Sequence, residues 1–343
     1  MSLSHLLQEP VSDPTPIYRM RDGIYAVDLL TAAIVHLDLY TWLADHPSTL
    51  GAICAQFGLH TRPADVMMTL STALGLTTMA GGVFHLTLRG REHLSGGSAW
   101  NLAPYYAALK DRPQALDMVK VLRTGKPANW GSYDADAWAE AMKRPEFATQ
   151  FTAAMDCRGV YLGYALGTKV NLSGSKALLD IGGGSGIYSC ALAARFPELR
   201  ATVFERPPVD QIARDAIAKQ GGSDRVEVIA GDIFKDELPT GFDAHLISNV
   251  LHDWDEPEVR TILKKSYDAL APGGLLLVHD AHINAEKTGP LPVAQYSVLL
   301  MHSTEGKCYS VGEMRTFLEN IGFESTSFEA TAADRSVISA RKP

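Results

Sequence analysis

Positive charge is in short supply. The 343-residue chain holds 31 Lys and Arg against 39 Asp and Glu, a formal net charge of -8 at pH 7. A general nucleic-acid binder needs a basic face, so no nucleic-acid partner is expected. Long apolar runs are missing too. None reaches the ~18 residues of a membrane span, and no membrane partner is expected. The opening Met1-Ser-Leu-Ser-His has neither a charged n-region nor a long apolar core, so no secretory leader is read and a cytoplasmic location is expected. Cysteine is sparse. Cys54, Cys157, Cys190 and Cys308 stand apart without CxxC spacing, which suits reduced thiols rather than a disulfide or zinc framework. His279, Asp280 and His282 crowd one segment, but i, i+1, i+3 spacing at a strand end sends them to different faces, so no metal is expected. With 46% apolar residues the composition is globular, and the length suits about two domains of ~150 residues each.

What is present is concentrated in Ala177-Leu-Leu-Asp-Ile-Gly-Gly-Gly-Ser-Gly-Ile187. Apolar residues and an Asp run into a glycine cluster, and a helical pattern follows to Arg195. That is strand, tight turn, helix, the nucleotide-binding corner of an open α/β sheet. A dinucleotide fingerprint wants G-x-G-x-x-G/A. Here Gly182, Gly184 and Gly186 alternate and Ile187 holds the last position, which counts against a nicotinamide oxidoreductase. What remains, D-x-G-x-G-x-G from Asp180, resembles motif I of the S-adenosylmethionine (SAM) methyltransferases. A second strand, Ala201 to Glu205, ends in an acid placed to accept two hydrogen bonds from a ribose diol. NAD and SAM sites share that arrangement, so Glu205 does not choose between them.

The first hundred residues read as buried helices from Ile24 to Leu43, a helix closed at Gly58, a helix from about Pro63 to Leu74, and a hairpin over Thr77 to Leu88 around Gly81-Gly82. Helix, helix, hairpin is a winged-helix layout. DNA recognition would place the second helix in a major groove, but residues 48–75 carry only Arg62 as a basic side chain, too little to neutralise phosphates.

Ala32-Ala-Ile-Val-His-Leu-Asp-Leu, Leu50-Gly-Ala-Ile-Cys-Ala-Gln-Phe-Gly, Leu70-Ser-Thr-Ala-Leu-Gly-Leu and Phe84-His-Leu-Thr-Leu-Arg-Gly, in that order, resemble the N-terminal dimerisation domain of the small-molecule O-methyltransferases. These are the plant phenolic enzymes and their bacterial relatives of pigment and antibiotic biosynthesis. The resemblance continues to the C-terminus. It implies a homodimer formed through the N-terminal domain and a small aromatic substrate.

The resemblance also assigns a site. Ala230-Gly-Asp-Ile-Phe234, after the third strand, resembles the adenine pocket, with Asp232 at the amino group or an adjacent amide and Ile233 and Phe234 near the ring. A strand-end Asp capping the next turn is the plainer reading of Asp232. Ser248, ending the fourth strand, falls where the family places a polar group against the cofactor. In Leu251-His-Asp-Trp-Asp255, His252 matches the catalytic base and Trp254 packs at the adenosine end or pocket wall. A phenol with a pKa near ~10 needs such a base, and histidine titrates in the right range. Asp280, at the end of the fifth strand, matches the acid that orients the base. A second acid of the family's G-K-E-R-T stretch is Cys308 here, with Glu305 nearby. By the resemblance, the helix from Phe147 to Leu166 brings Phe151 and Met155 to the acceptor with Asn249; Met155 also reads as a core filler, and His302 as either a substrate contact or packing under the loop. The aromatics Trp100, Tyr105, Tyr106, Trp130, Tyr133 and Trp138 suit either a pocket wall or core packing.

The expected fold is α/β. A winged-helix-like dimerisation domain covers 1–100, a helical, substrate-lining segment 101–170, and a Rossmann-like, seven-stranded SAM-binding domain 171–343. The expected function is SAM-dependent O-methylation, leaving S-adenosylhomocysteine. N- or C-methylation, decarboxylation or hydroxylation on the same scaffold, and a SAM-sensing regulator, are the alternatives.

Overall fold

The computed structural model describes residues 3–128 and 144–343. Trp130, Tyr133 and Trp138 lie outside the described residues. The described residues form ten strands: β1 (Ser48–Thr49), β2 (Thr77–Ala80), β3 (Val83–Leu86), β4 (Ala177–Ile181), β5 (Arg200–Glu205), β6 (Val226–Ala230), β7 (Ala244–Ser248), β8 (Leu275–Asp280), β9 (Glu324–Ala330) and β10 (Ser336–Arg341). Seven of them form one sheet in the order β6-β5-β4-β7-β8-β10-β9. β4 to β8 pair in parallel, and β10 runs antiparallel to both neighbours. The sheet is therefore the seven-stranded one expected, with one reversed strand.

The order reverses between β4 and β7. In open α/β sheets this switch point opens a crevice at the carboxyl ends of the strands. Register brings the ends together: Ile181 lies beside Phe204, Glu205 beside Ala230, and Ser248 beside His279. The groups singled out in the sequence thus share one edge. β4 and β7 are buried almost throughout because both faces of the sheet are covered.

The N-terminal third holds the helices Leu50–Phe57 and Thr61–Ala73 and the hairpin β2–β3. Thr49 caps the first helix through Ala52 N, and Gly58 closes it in a left-handed conformation. Two details escape the sequence pattern. Residues Ala32–His36 form a π-helical turn, and β1 adds a third strand against β3. One apolar core joins Leu29, Tyr40, Met67, Met68 and Leu122 to Tyr296, Leu300 and Met301 of the helix Leu291–Ser303. Each such side chain contributes roughly 1.5–3 kcal/mol of burial, enough in sum to hold the N-terminal elements on that helix. No single helix among the described residues is long and apolar enough to cross a membrane.

Candidate active site

The glycine loop leaves β4 and enters the helix Ile187–Arg195. Gly182, Gly184 and Gly186 all have positive φ, at 67°, 58° and 76°, which explains their alternation. A Cβ on Gly183 would come 2.6 Å from the Asp180 carboxylate, whereas one on Gly184 meets nothing within 4 Å. The loop is packed hard from below and open above. Asp180 forms its floor, fully buried, with Oδ2 accepting from Ser189 Oγ at 2.7 Å. Burial lifts this carboxyl to about 7, against the opposing Ser189 bond. Asp180 therefore supports the loop from beneath and does not face its open side. Glu205 does stand at the edge. Its Oε2 accepts from Gly184 N at 3.0 Å and its Oε1 from Arg206 N at 2.9 Å, and burial raises its pKa despite both amides.

On the next strand end Asp232 accepts from Phe234 N at 2.9 Å, the capping contact of the plainer reading. Lys265, unremarked in the sequence, donates to the carbonyls of Ile233, Phe234 and Asp236 and fixes this turn. Phe234 and Trp254 meet edge to face, centroids 4.6 Å apart. Ser248 Oγ lies 3.0 Å from His279 Nδ1, and burial drives His279 down to about 3, so it is neutral. Asn249 takes a left-handed backbone, φ 54°. Its amide donates to Tyr188 OH and Ser248 Oγ, while its buried Oδ1 has no partner among the described residues. The open face at Gly184, the Glu205 carboxylate and this unpaired acceptor suit a ligand bearing hydroxyl and amino donors, as SAM does.

His252 sits in the single turn Leu251–Asp253 past β7, 5% exposed. Its Nδ1 is 2.6 Å from Asp280 Oδ1, which also accepts from Ala281 N at 2.8 Å. A carboxylate only accepts, so Nδ1 carries the proton and Nε2 of the neutral ring is left with a free lone pair. Burial works against the imidazolium, but Asp280 and Asp253 outweigh it and raise the His252 pKa above 6.5. Burial pushes Asp280 the other way from His252, and the imidazole wins, holding Asp280 near about 2. The loop beyond the helix Leu291–Ser303 rests on this turn. A Cβ on Gly306 would lie 1.9 Å from the His252 carbonyl oxygen, so only glycine fits.

The structure brings some expected residues elsewhere. Glu305 pairs with Lys126, not with His252. Cys308 is buried, its amide donating to Ser297 Oγ at 3.0 Å. His302 stacks on Tyr25 at 4.2 Å and lies 3.7 Å from Asp117. Phe151 and Met155 lie in the helix Pro145–Lys169, but their side chains are outside what is described. Asp255 caps the helix Glu256–Ala269, as its position suggests. Arg62 is 5% exposed and donates to the Gly306 carbonyl at 2.7 Å, so the one basic residue of the two-helix unit faces inward. Among the described residues no group of three or more His, Cys, Asp or Glu is placed to hold a metal ion.

The sheet order and the glycine loop at its switch point define the class, a SAM-dependent methyltransferase. The family model described as the O-methyltransferase domain matches residues 117–324. The chain is 31% identical over 316 residues to a 3-hydroxy-5-methyl-1-naphthoate 3-O-methyltransferase of Streptomyces sahachiroi, covering 90% of this chain and 89% of that protein. It is 38% identical over 163 residues, 48% of this chain and 43% of that protein, to an aclacinomycin 10-hydroxylase of Streptomyces purpurascens. A family 2 O-methyltransferase from Planctomyces limnophilus, solved in complex with apigenin, superposes with a TM-score of 0.87 at 30% identity over 98% of each chain. The chain belongs to this O-methyltransferase family.

Proposed function

We propose that the chain methylates a hydroxyl of a small aromatic or polyketide-like acceptor, with His252 as general base. The observation that carries this reading is the 2.6 Å contact that commits Nδ1 to Asp280 and leaves Nε2 basic. Bound SAM supplies a methyl on a positively charged sulfur. Gly182, Gly184 and Glu205 would hold it at the switch point, and Asp232, Ile233, Phe234, Ser248 and Trp254 would contact its adenosine; Asp180 shapes the loop. Asn249 borders the acceptor side, and the resemblance adds Phe151, Met155 and His302 as substrate contacts. His252 Nε2 takes the acceptor's hydroxyl proton, and Asp280 stabilises the imidazolium that results.

The experiment is methyl transfer from labelled SAM to 3-hydroxy-5-methyl-1-naphthoate and to apigenin, with the labelled position determined in the product. Label on oxygen supports the proposal. Label on carbon would overturn O-methylation, and an oxygenated product without label would move the chain toward the relative named as a 10-hydroxylase. Calorimetry adds a residue test. Glu205→Gln should weaken SAM binding by on the order of tenfold, the loss of charge-assisted bonds to a diol; unchanged affinity would remove Glu205 from the site.

We also propose a cytoplasmic homodimer built on the N-terminal region. Ile17, Met20 and Ile24 are 75%, 81% and 57% exposed within one short stretch, an apolar face that water penalises. Sedimentation should give twice the 37.2 kDa chain mass; a monomer at micromolar concentration would contradict it.

A further inference from the structure

Asp280 bonds the base at Nδ1, and Asp253 Oδ1 lies 3.6 Å from Nε2, too long for a hydrogen bond, while the second acid that the resemblance implies is replaced by Cys308. A single bond to Asp280 fixes Nδ1 but leaves the imidazole free to tilt about the Nδ1···Oδ1 line. Cys308 does not take up the second task. It is buried, and burial raises its thiol pKa well above the usual value, so it carries no negative charge.

Another group is in place. Tyr296, 2% exposed on the helix Leu291–Ser303, meets His252 with ring centroids 5.9 Å apart and planes at 88°. Tyr296 is braced in turn. Arg335 Cζ lies 4.3 Å from its ring centroid. Arg335 donates through Nη2 to Asp22 Oδ2 at 2.9 Å and through Nη1 to the Ala333 carbonyl at 2.9 Å. Arg335 and Asp22 are 3% and 5% exposed. A buried guanidinium held by a carboxylate and a carbonyl has little freedom, so it makes a rigid plate for the tyrosine ring. The tyrosine ring then presents a perpendicular wall to the imidazole, a favoured aromatic geometry.

We propose that Tyr296, stacked on the Arg335–Asp22 pair, is a positioning residue that fixes the tilt of the His252 ring and so aims Nε2 at the acceptor. The chain links the N-terminal helix Thr15–Asp22 to the base through three side chains. The inference rests on His252 being the base.

The test compares Tyr296→Phe with Tyr296→Met, assayed with SAM and 3-hydroxy-5-methyl-1-naphthoate or apigenin, whichever is turned over. Phe keeps the wall and loses only the hydroxyl; Met keeps volume and loses the plane. Tyr296→Phe should retain kcat. Tyr296→Met should lose kcat on the order of 10- to 100-fold, the scale of a misaimed reacting group, with SAM affinity unchanged. A crystal structure of Tyr296→Met should show the imidazole rotated from its 88° setting while Nδ1 stays on Asp280. Equal losses in both variants would make the hydroxyl, not the ring, the working part and overturn the proposal; so would wild-type kcat or an unmoved imidazole in Tyr296→Met. Should Tyr296→Met fail to fold, Arg335→Lys is read in its place. It keeps the charge for Asp22 and loses the planar stack, and a severalfold loss of kcat at unchanged SAM affinity is expected; wild-type kcat overturns the proposal. His252→Gln is run beside them. Full turnover in that variant would mean there is no base to position and would sink both readings; lost turnover there beside wild-type kcat in Tyr296→Met would sink only the role of Tyr296.

Discussion

His252→Gln is expected to lower kcat by on the order of 10²- to 10⁴-fold, the usual contribution of a general base. A phenol near pKa ~10 is almost wholly protonated at neutral pH, so its oxygen is a poor nucleophile until the proton is taken. In the proposed reading His252 takes it, with Asp280 engaging the opposite nitrogen at 2.6 Å. Gln preserves much of the volume and a hydrogen-bonding end, so the turn Leu251–Asp253 and the Gly306 contact should survive. SAM affinity should stay within about twofold, because the loop and Glu205 lie on β4 and β5 and effects of non-contacting sites add independently. Steady-state kinetics and calorimetry check both halves. Undiminished kcat would mean that the acceptor ionises without this imidazole.

Asp280→Asn should act on rate and on pH dependence together. In the native chain the carboxylates hold the His252 pKa above 6.5 against burial. Only the neutral imidazole accepts a proton, so kcat/KM should rise with pH through that raised value. Without the Asp280 charge, burial dominates and the His252 pKa falls. The acid limb should then move to lower pH. The plateau should drop by on the order of 10²-fold or more, because an amide no longer selects the tautomer with Nδ1 protonated. Stability should change in a defined window. Asp280 is depressed to about 2, so its contribution is present above 3.8 and lost as pH falls toward 2. The raised His252 contributes fully below 6.5 and loses its share as pH climbs through its folded value. The variant should therefore lose most stability between these limits. An acid limb at the native position in Asp280→Asn would contradict the assignment.

Much of this was legible in the chain because it is local. The glycine spacing gave the loop, and all three alternating glycines have the positive φ that the spacing implies. β5, β7 and β8 were visible as runs ending in Glu205, Ser248 and Asp280, and the sheet collects those ends at one edge. The His252–Asp280 pair came from resemblance and matches a contact across 28 residues. What stayed hidden is long-range. Arg62 and Gly306 are 244 positions apart, and nothing near Arg62 says that it turns inward to the loop under the base. Asp65 likewise meets Lys287 and Lys307. Tyr296, Arg335 and Asp22 come from three distant segments and carry no shared pattern. Asp180 opens the glycine motif in the sequence, which does not say whether its side chain lies above or below the loop. Its full burial places it beneath.

The central claim is that donor and base meet across the switch point of the sheet. A crystal structure with S-adenosylhomocysteine tests it most directly. The account predicts ribose hydroxyls on Glu205, the glycine loop closed over the ligand, and its sulfur turned toward His252 Nε2. Ligand bound away from Gly184 and Glu205, or a sulfur screened from His252 by protein, would contradict it.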